Sequence, residues 1–452
     1  MATRIRALDI WMNGLYVGRW ERARSGADQL TYDRDWMEAP EGRPLSLSLP
    51  FTALGIHGKA APLPPAAVAA YFDNLLPDND RILRRLRDRY GASSTSAFDL
   101  LATIGRDCAG AVQLVPAGQQ PDGAHAIDAE PLTELEVAQV LRDTTLAGPL
   151  GQRDREAFRL SIAGAQEKTA LLRHEGQWCI PRRSTPSTHI FKLPLGLVGN
   201  MQADMRDSVQ IEWLSMEIAR AFGLSVARSE IGQFEDQKAL IVERFDRSLS
   251  KDGLWWVRIP QEDFCQALGL PPSKKYEADG GPGIQNIMDV LRGSDDPQGD
   301  RATFFKSQLL FWLMAATDGH AKNFSLQVLP GGAYRLTPLY DILSAYPIMG
   351  RSAKQLDSRK AKLAMAVVTQ NHHYDLHGIH RWHWVAMGMA LGLPEVSTLI
   401  EAVVGQTPIV LENMAARLPD KFPAVVFDAV RAGMTKAAKQ LGSEPDDRKS
   451  TG

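Results

Sequence analysis

The segment Asp318-Gly-His-Ala-Lys-Asn323, followed by Tyr340-Asp341-Ile342, decides how this chain is interpreted. An Asp and an Asn stand five positions apart, and a second Asp follows a stretch that is typical of a short hairpin. One carboxylate rarely holds a hard divalent cation alone, so a convergent amide and second carboxylate are meaningful. The remaining carboxylate is suited to act as a general base. The segment therefore predicts a site that combines proton abstraction with a magnesium ion.

The sequence around this segment supports the convergence of the three side chains. In order, it predicts a buried apolar helix, a strand, a turn and a returning strand, over residues 304–317, 324–329, 330–332 and 334–339. Such a hairpin brings Asp341 back beside Asn323. The same spacing is typical of the catalytic loop and metal site of protein kinases. Each residue alone is equally consistent with a loop or helix cap, whereas the combination favours a phosphoryl-transfer site.

Three upstream segments are candidates for the rest of a nucleotide site. Residues 161–169 form a turn rich in small residues, which lets backbone N–H groups approach anionic oxygens, although a plain hairpin fits as well. Lys192 lies in an apolar strand, where an ammonium must either reach solvent along its stem or meet an anion. Residues 239–246 are a buried strand with a charged end, which is suited to adenine but is also a common strand ending.

Taken together, these segments resemble HipA, a family of bacterial serine/threonine kinase toxins from type II toxin–antitoxin modules. The longest matching strings are Ser161-Ile-Ala-Gly-Ala-Gln-Glu-Lys-Thr-Ala-Leu-Leu172 and Thr317-Asp-Gly-His-Ala-Lys-Asn-Phe-Ser325. Shorter ones lie at residues 43–50, 72–77, 98–101, 104–107, 260–263, 275–277 and 279–284. The resemblance extends over about residues 5 to 425.

The resemblance implies a role for each residue of the candidate site. It makes Asp318 the catalytic base, and Asn323 and Asp341 the magnesium ligands. It places ATP against Ala163, Gly164, Ala165, Gln166, Glu167, Lys168, Lys192, Glu243, Arg244, Phe245, His320, Ala321, Lys322, Asn323, Tyr340 and Asp341. It also implies that Ser161 is autophosphorylated, which displaces the phosphate loop and switches the kinase off.

The resemblance further implies partners and a biological role. The cofactors are ATP and Mg²⁺, and the target is an aminoacyl-tRNA synthetase, glutamyl-tRNA synthetase in the best-known case. Its phosphorylation causes growth arrest and persistence. HipB, a small helix-turn-helix antitoxin, neutralises the kinase, and the complex represses its own operon. The family's basic DNA-contacting pair aligns with Met389 and Gly392 here, so we expect operator DNA to be reached through the antitoxin rather than directly.

Two other functions are consistent with parts of the sequence. A small-molecule or lipid phosphotransferase has the same chemistry, because the Asp–Asn–Asp motif does not determine which molecule accepts the phosphate. A catalytically idle scaffold that binds an antitoxin and assists repression is a different class of protein. If the chain were such a scaffold, we would expect it to have lost the base, a metal ligand or the phosphate-contacting lysine. Asp318, Asn323, Asp341 and Lys192 are all present. The sequence therefore favours the active protein kinase.

Composition sets broader limits. With 452 residues and a formal charge of −2, the chain shows no overall attraction to nucleic acid. Residues 81–89 form a basic helix, which we interpret as a solvated face rather than a nucleic-acid stripe.

Three widely spaced cysteines argue against a disulfide framework, and the N-terminus lacks a signal peptide. We expect a bacterial cytosolic protein without a membrane anchor.

Half of the ten histidines fall within residues 372–383. Their spacings of three and four are consistent with ligands on one helical face, but Gly378 interrupts the segment and no thiolate or glutamate pair completes a site. We therefore predict a loop that leads into a helix starting near Trp382, where the Trp and His rings pack against one another.

The predicted fold class is α+β: a two-lobed, protein-kinase-like fold with a mixed α/β N-terminal part and a mainly α-helical C-terminal lobe. The chain divides into an N-terminal α/β subdomain, a loop with a connecting helix, an N-lobe-like sheet with the phosphate loop, a helical C-lobe with the catalytic loop and metal site, and a disordered tail. These cover residues 1–115, 116–150, 151–245, 246–442 and 443–452.

Helices are predicted over residues 66–76, 78–90, 97–101, 132–142 and 208–222, and a hairpin at Asn13-Gly14.

Overall fold

The structure is a computed structural model of the chain, and its fold class is α+β. It describes residues 6–23, 26–52, 62–145, 160–161, 166–198, 203–352, 354–443 and 445–446. Most of the predicted tail, and Ala163, Gly164 and Ala165 of the predicted phosphate loop, lie outside the described residues. None of the helices in the described ranges has the length and apolar character that crossing a membrane requires.

The strands, in chain order, are β1 Ala7–Met12, β2 Leu15–Arg22, β3 Asp28–Tyr32, β4 Asp107–Cys108, β5 Val112–Pro116, β6 Ala129–Pro131, β7 Leu160–Ser161, β8 Lys168–His174, β9 Gln177–Pro181, β10 His189–Lys192, β11 Gly196–Val198, β12 Ala203–Met205, β13 Ser229–Phe234, β14 Gln237–Glu243, β15 Arg247–Leu249, β16 Trp256–Arg258, β17 Gln261–Asp263, β18 Ser325–Val328, β19 Tyr334–Leu336, β20 Lys362–Val368 and β21 His372–Asp375.

The α-helices are α1 Arg34–Glu38, α2 Pro65–Asp73, α3 Asp80–Tyr90, α4 Ala97–Ile104, α5 Glu134–Thr144, α6 Ser208–Ala221, α7 Phe264–Ala267, α8 Ile284–Val290, α9 Pro297–Met314, α10 Arg381–Ala390, α11 Val396–Ala415 and α12 Ala424–Ser443. The predicted helices among them start and end within three residues of these bounds.

The chain forms two compact units. The first contains residues 1–193, 232–275 and 325–335, and the second contains residues 194–231, 276–324 and 336–452. The chain therefore leaves the first unit and returns to it more than once, and the hairpin of β18 and β19 is a part of the first unit that interrupts the second in sequence.

The first unit begins with a four-stranded antiparallel sheet in the order β3-β2-β1-β5. The β1–β2 turn has positive φ at Asn13 and Gly14, +48° and +82°, as the predicted Asn-Gly hairpin requires. Helices α2 and α4 cover this sheet, and Trp20 stacks on Phe72 with ring centroids 3.8 Å apart. Burial of such aromatic surface dominates the stability of a core of this kind.

A six-stranded sheet in the order β13-β14-β10-β8-β9-β6 carries the candidate phosphate-binding residues. Helix α5 packs Val137 and Leu141 against Leu171 and Phe191 of its central strands. Thr133 and Glu136 form a reciprocal capping box at the start of α5. The sheet is thereby fixed on one face, and its central strands β8 and β10 have a defined register.

The second unit is built around α9, whose residues from Phe304 to Met314 are buried except for Lys306. This confirms the predicted buried helix, which ends at Met314 rather than Thr317 because Ala315 adopts a left-handed conformation with φ +51°. Helices α6 and α12 pack against α9. The helix end and the loop that follows it therefore rest on a rigid scaffold.

The histidine-rich segment differs from its prediction. His372 to Asp375 form strand β21, paired with β20, rather than a loop. Their sequence is polar, and the partner strand that supplies the hydrogen bonds lies in a separate apolar stretch, so no local pattern indicates it. Beyond the strand the predicted packing is confirmed: the rings of Trp382 and His383 stack with centroids 3.7 Å apart.

Candidate active site

The predicted catalytic loop follows directly from the end of α9. The N–H of His320 donates to the carbonyl of Asp318 over 2.8 Å, and the N–H of Asn323 donates to the carbonyl of His320 over 2.9 Å. Gly319 sits so close to α9 that an added Cβ would lie 2.4 Å from the ring of Phe311. The absence of a side chain at Gly319 therefore lets the loop pass this close to the ring of Phe311.

Asp318 combines an exposed side chain with one strong hydrogen bond. Its side chain is 60% exposed, and its Oδ1 accepts a bond from the hydroxyl of Tyr276 over 2.5 Å. The imidazole Nε2 of His320 lies 4.0 Å from the same oxygen, and the rings of Tyr276 and His320 meet edge to face. One carboxylate oxygen is thus held by Tyr276, and the side chain stays accessible to a substrate hydroxyl.

Asn323 is buried and fixed by the loop itself. Its Nδ2 donates to the carbonyl of Asp318 over 2.7 Å. Because the amide nitrogen is used in this bond, the amide oxygen is oriented away from it, and oxygen is the atom that a hard cation binds.

Asp341 is tied to the same region by its neighbours in sequence. The Tyr340 hydroxyl donates to the carbonyl of Lys322 over 2.9 Å, and the Ser344 hydroxyl donates to the carbonyl of Met314 over 2.6 Å. Asp341 itself has φ +59°, a left-handed conformation that costs energy for a residue other than glycine. The structure therefore brings the segments of Asp318, Asn323 and Asp341 together in the second unit.

The candidate metal ligands supply the oxygen donors that magnesium prefers. Across the described part of the chain, no group of three or more His, Cys, Asp or Glu side chains is placed to hold a metal. The candidate ligands are instead one amide oxygen and one carboxylate, from Asn323 and Asp341. Magnesium characteristically takes one or two protein oxygens and completes its shell with water and substrate phosphate.

The candidate phosphate side lies in the first unit. Ser161 belongs to β7, which pairs in parallel with β4 and places Ser161 opposite Cys108. The Gln166 side chain donates to the carbonyl of Leu193 over 2.6 Å, and the Leu193 N–H donates to the carbonyl of Glu167 over 3.1 Å. These bonds attach the C-terminal end of the predicted loop to the strand that carries Lys192.

Lys168 and Lys192 stand directly opposite each other on β8 and β10. Directly opposed residues of an antiparallel pair point to the same face with Cβ atoms about 5 Å apart, and like charges there are destabilising. Lys192 is moreover buried. The register therefore concentrates two cationic side chains on one face of the sheet.

The residues predicted to contact adenine differ in their exposure. Glu243 is exposed at the end of β14 and Phe245 is half-buried. Arg244 points into the protein interior: its guanidinium donates to both oxygens of Asp246 over 2.9 and 2.8 Å and to the carbonyl of Cys108 over 2.7 Å. The backbone N–H of Arg244 donates to the carbonyl of Thr188. The side chain of Arg244 therefore has a structural role.

Arg244 is one member of a buried ion cluster formed by Asp107, Asp246, Arg244 and Arg247, with Arg258 lying 3.9 Å from Asp107. Burial alone raises the pKa of Asp107, but the charges of Arg244 and Arg247 outweigh it and hold that pKa far below its usual range. Both aspartates are thus ionised, and each arginine has carboxylate partners. The charges of the cluster are paired internally, which distinguishes it from a site that awaits a charged ligand.

Two contacts of the candidate site were not predicted as such. Tyr276 lay in a matching string of the family resemblance but had no assigned role. Arg85 was assigned to a solvated helical face, and this is wrong, because its guanidinium forms an ion pair with Glu167 of the predicted phosphate loop. Arg89 likewise donates to the carbonyl of Asp143 over 2.7 Å. Their partners are distant in sequence, so helical periodicity gives no signal for them.

The fold and the site define a kinase-like α+β protein. The HipA N-terminal domain model matches residues 8–115, and the HipA-like C-terminal domain model matches residues 160–411. The chain therefore belongs to the HipA family.

Relatives with curated names support this family assignment. "Putative kinase Y4mE" of Sinorhizobium fredii is 33% identical over 89% of this chain and 90% of its own length. "Serine/threonine-protein kinase toxin HipA" of Shewanella oneidensis is 30% identical over 93% of this chain and 89% of its own length. A solved structure, the Shewanella oneidensis MR-1 complex of HipA, HipB and its operator DNA, matches with a TM-score of 0.76 and 25% identity over 96% of this chain and 97% of that one.

Proposed function

We propose that this protein is an ATP-dependent serine/threonine protein kinase toxin. The observation that carries the proposal is the catalytic loop, in which Asn323 is bonded to the Asp318 carbonyl while Tyr340 ties the Asp341 segment to Lys322. The proposal takes Asp318 as the base and Asn323 and Asp341 as the oxygen ligands, which are the parts that phosphoryl transfer requires. Family membership and the curated names of the relatives support the same chemistry.

Each residue has a distinct task in the proposed reaction. Asp318 accepts the proton of the attacking serine hydroxyl while Tyr276 holds the other side of its carboxylate. Asn323 and Asp341 would hold the divalent cation, which would supply positive charge to neutralise the ATP phosphates. Lys168 and Lys192 bind the phosphates from the sheet, together with the loop of residues 163–167.

The rest of the nucleotide has its own contacts. His320, Ala321, Lys322 and Tyr340 line the nucleotide site from the catalytic loop. Glu243 and Phe245 are the contacts to adenine, and Arg244 supports them from inside the protein.

The proposed acceptors are proteins. We propose that Ser161 is autophosphorylated and that a serine of an aminoacyl-tRNA synthetase, glutamyl-tRNA synthetase by family resemblance, is the target in trans. Loss of a charging enzyme halts translation, so growth arrest and persistence follow. Ser161 precedes the phosphate loop by two residues, and a phosphate of about −2 charge there acts on the loop that binds ATP.

The proposed partner is a HipB-like helix-turn-helix antitoxin, with which the chain represses its operon. The support is the similar fold of a HipA that was solved with HipB and operator DNA. Met389 is 67% exposed and Gly392 follows at the end of α10, and neither carries a charge. Because affinity for DNA depends on cations that neutralise phosphates, we propose that DNA is contacted through the antitoxin.

Incubation with γ-labelled ATP and Mg²⁺ tests the function. The proposal predicts label on Ser161 and on a bacterial aminoacyl-tRNA synthetase added in trans. Label on a small molecule or lipid alone would replace it with a different phosphotransferase, and no label on any acceptor would support an idle repressor scaffold.

The metal assignment is tested by Asp341→Asn, a substitution that keeps the side-chain shape and tolerates the left-handed backbone at this position. Removing the charge should weaken binding of magnesium-ATP at least about tenfold and leave adenosine binding unchanged, since adenosine carries no phosphate. Equal losses for the two ligands in calorimetric titrations would contradict a metal role for Asp341.

A further inference from the structure

One ion pair joins the basic helix α3 to the candidate phosphate loop. The guanidinium of Arg85 contacts the carboxylate of Glu167, 82 residues away in sequence. The Arg85 side chain is only 10% exposed and that of Glu167 30% exposed. Water therefore screens this pair much less than it screens a pair on the open surface.

The orientation of Arg85 distinguishes it from the other arginines of α3. The helix is capped by the Asn79 side chain at its start and by Gly91, with φ +69°, at its end. Arg81 and Arg84 are exposed, whereas Arg85 points toward Glu167. The helix is also held at its far end by the bond from Arg89 to the carbonyl of Asp143. Arg85 thus projects from a fixed helix rather than from a mobile surface loop.

Glu167 is connected to the phosphate-binding lysines through its backbone. Its carbonyl accepts from the N–H of Leu193, which follows Lys192, and the next residue is Lys168 itself. The Gln166 side chain adds a bond to the Leu193 carbonyl. Glu167 is therefore held in two ways. Its carboxylate contacts Arg85 of α3, and its backbone is hydrogen-bonded to Leu193, directly after β10.

The charge of Glu167 needs an explanation in a site for anionic phosphates. A carboxylate next to Lys168 and close in sequence to a triphosphate-binding loop repels the ligand unless a cation neutralises it. Arg85 is that cation in the structure. Its planar guanidinium also fixes the direction of the carboxylate, which a single-point charge does less well.

We propose that Arg85 is a positioning residue for nucleotide binding: it holds and neutralises Glu167, and so sets the C-terminal end of the phosphate loop beside Lys168. Arg85 itself does not touch the reacting atoms. This inference rests on the proposed function, because it assumes that the loop binds the phosphates of ATP.

Binding titrations with the full-length chain test the proposal. Arg85→Ala should weaken binding of magnesium-ATP about tenfold and leave adenosine binding unchanged, because only the phosphates meet the loop. Arg85→Lys should give an intermediate loss, since it keeps the charge but not the fork. Arg84→Ala, on the exposed face of the same helix, is the matched control and should change neither ligand.

The charge-reversed pair separates positioning from simple loss of packing. Glu167→Arg should weaken ATP binding less than Arg85→Glu does, and the double variant Arg85→Glu with Glu167→Arg should recover at least half of the loss in Arg85→Glu. Recovery of this kind is not expected if Arg85 only stabilises the fold. If Arg85→Ala does not fold, Arg85→Lys and the double variant still decide the question.

The proposal is overturned if Arg85→Ala and Arg85→Lys keep ATP binding within twofold, if ATP and adenosine weaken equally, or if the double variant recovers nothing. The proposed function is judged separately, by transfer of label in the wild-type chain. A chain that binds ATP through Arg85 and Glu167 but transfers no phosphate would refute the kinase assignment and leave the role of Arg85 intact.

Discussion

The buried ion cluster of the first unit and the catalytic loop of the second use similar residues for different purposes. In the cluster, Asp107 and Asp246 are buried, and Asp107 meets three arginines while Asp246 meets two. In the loop, Asp318 is 60% exposed and has one tyrosine as its close side-chain partner. A fully partnered carboxylate stabilises the fold, whereas an exposed and singly held carboxylate remains available for a substrate. Pairing and burial, rather than residue type, distinguish the aspartates that stabilise this fold from the one proposed to act as a base.

The largest effect on stability is expected in the cluster. Asp246→Asn leaves Arg244 and Arg247 buried with one carboxylate fewer, and removal of one partner from a buried ion pair typically costs about 3 to 5 kcal/mol of stability. Denaturant unfolding measures this loss. Asp204→Asn, which breaks the exposed pair with Arg206, is the control and should have a much smaller effect. Similar losses in the two variants would remove the distinction between the cluster and the surface.

A second buried carboxyl group gives a pH-dependent effect. Burial raises the pKa of Glu262 to about 8, although the Leu47 N–H donates to its Oε1 over 3.0 Å. The folded state therefore prefers the protonated acid, and this contribution is present below the unfolded pKa of about 4.5 and is lost as pH rises through 8. Glu262→Gln should gain stability over wild type from pH 5 to pH 9, on the order of a few kcal/mol.

The control for this comparison is Glu21→Gln, an exposed strand position of the same unit. Thermal unfolding of the three proteins at both pH values gives the differences directly. A Glu262→Gln variant whose advantage over wild type is the same at pH 5 and pH 9 would show that the carboxyl group does not titrate as stated.

The smallest effect is expected at Tyr276. Tyr276→Phe removes one hydrogen bond to Asp318 but leaves the carboxylate and its exposure, so kcat should fall about tenfold at most, with an unchanged KM for ATP. Tyr374→Phe in β21 is the control. Initial-rate kinetics check both. A Tyr276→Phe variant with no activity would indicate that the tyrosine participates in the chemistry rather than orienting the base.

The sequence predicted those parts of the fold that depend on local patterns. Helix α9 follows from a run of apolar residues, and the Asn13-Gly14 hairpin follows from the backbone freedom of those two residues. The catalytic loop was predicted because Asp318, Gly319 and Asn323 are close in sequence. Their convergence with the Asp341 segment needs only one intervening hairpin.

Contacts between distant segments could not be predicted in this way. The register that sets Lys168 opposite Lys192 depends on the whole sheet, since a shift of one residue would turn one of them to the other face. Arg244 and Arg85 both belong to charged stretches that resemble solvated surface, and partners 137 and 82 residues away determine their burial. Strand β21 likewise depends on a partner strand rather than on its own histidines.

The central claim is that the exposed carboxylate of Asp318 performs the chemistry, and Asp318→Asn tests it most directly. The amide oxygen can still accept the Tyr276 hydrogen bond, so the unfolding temperature and the affinity for magnesium-ATP should stay at wild-type values. Transfer of labelled phosphate should fall by about 100- to 10,000-fold, the usual contribution of a general base. Transfer that stays within a few-fold of wild type, with ATP still bound, would contradict the account.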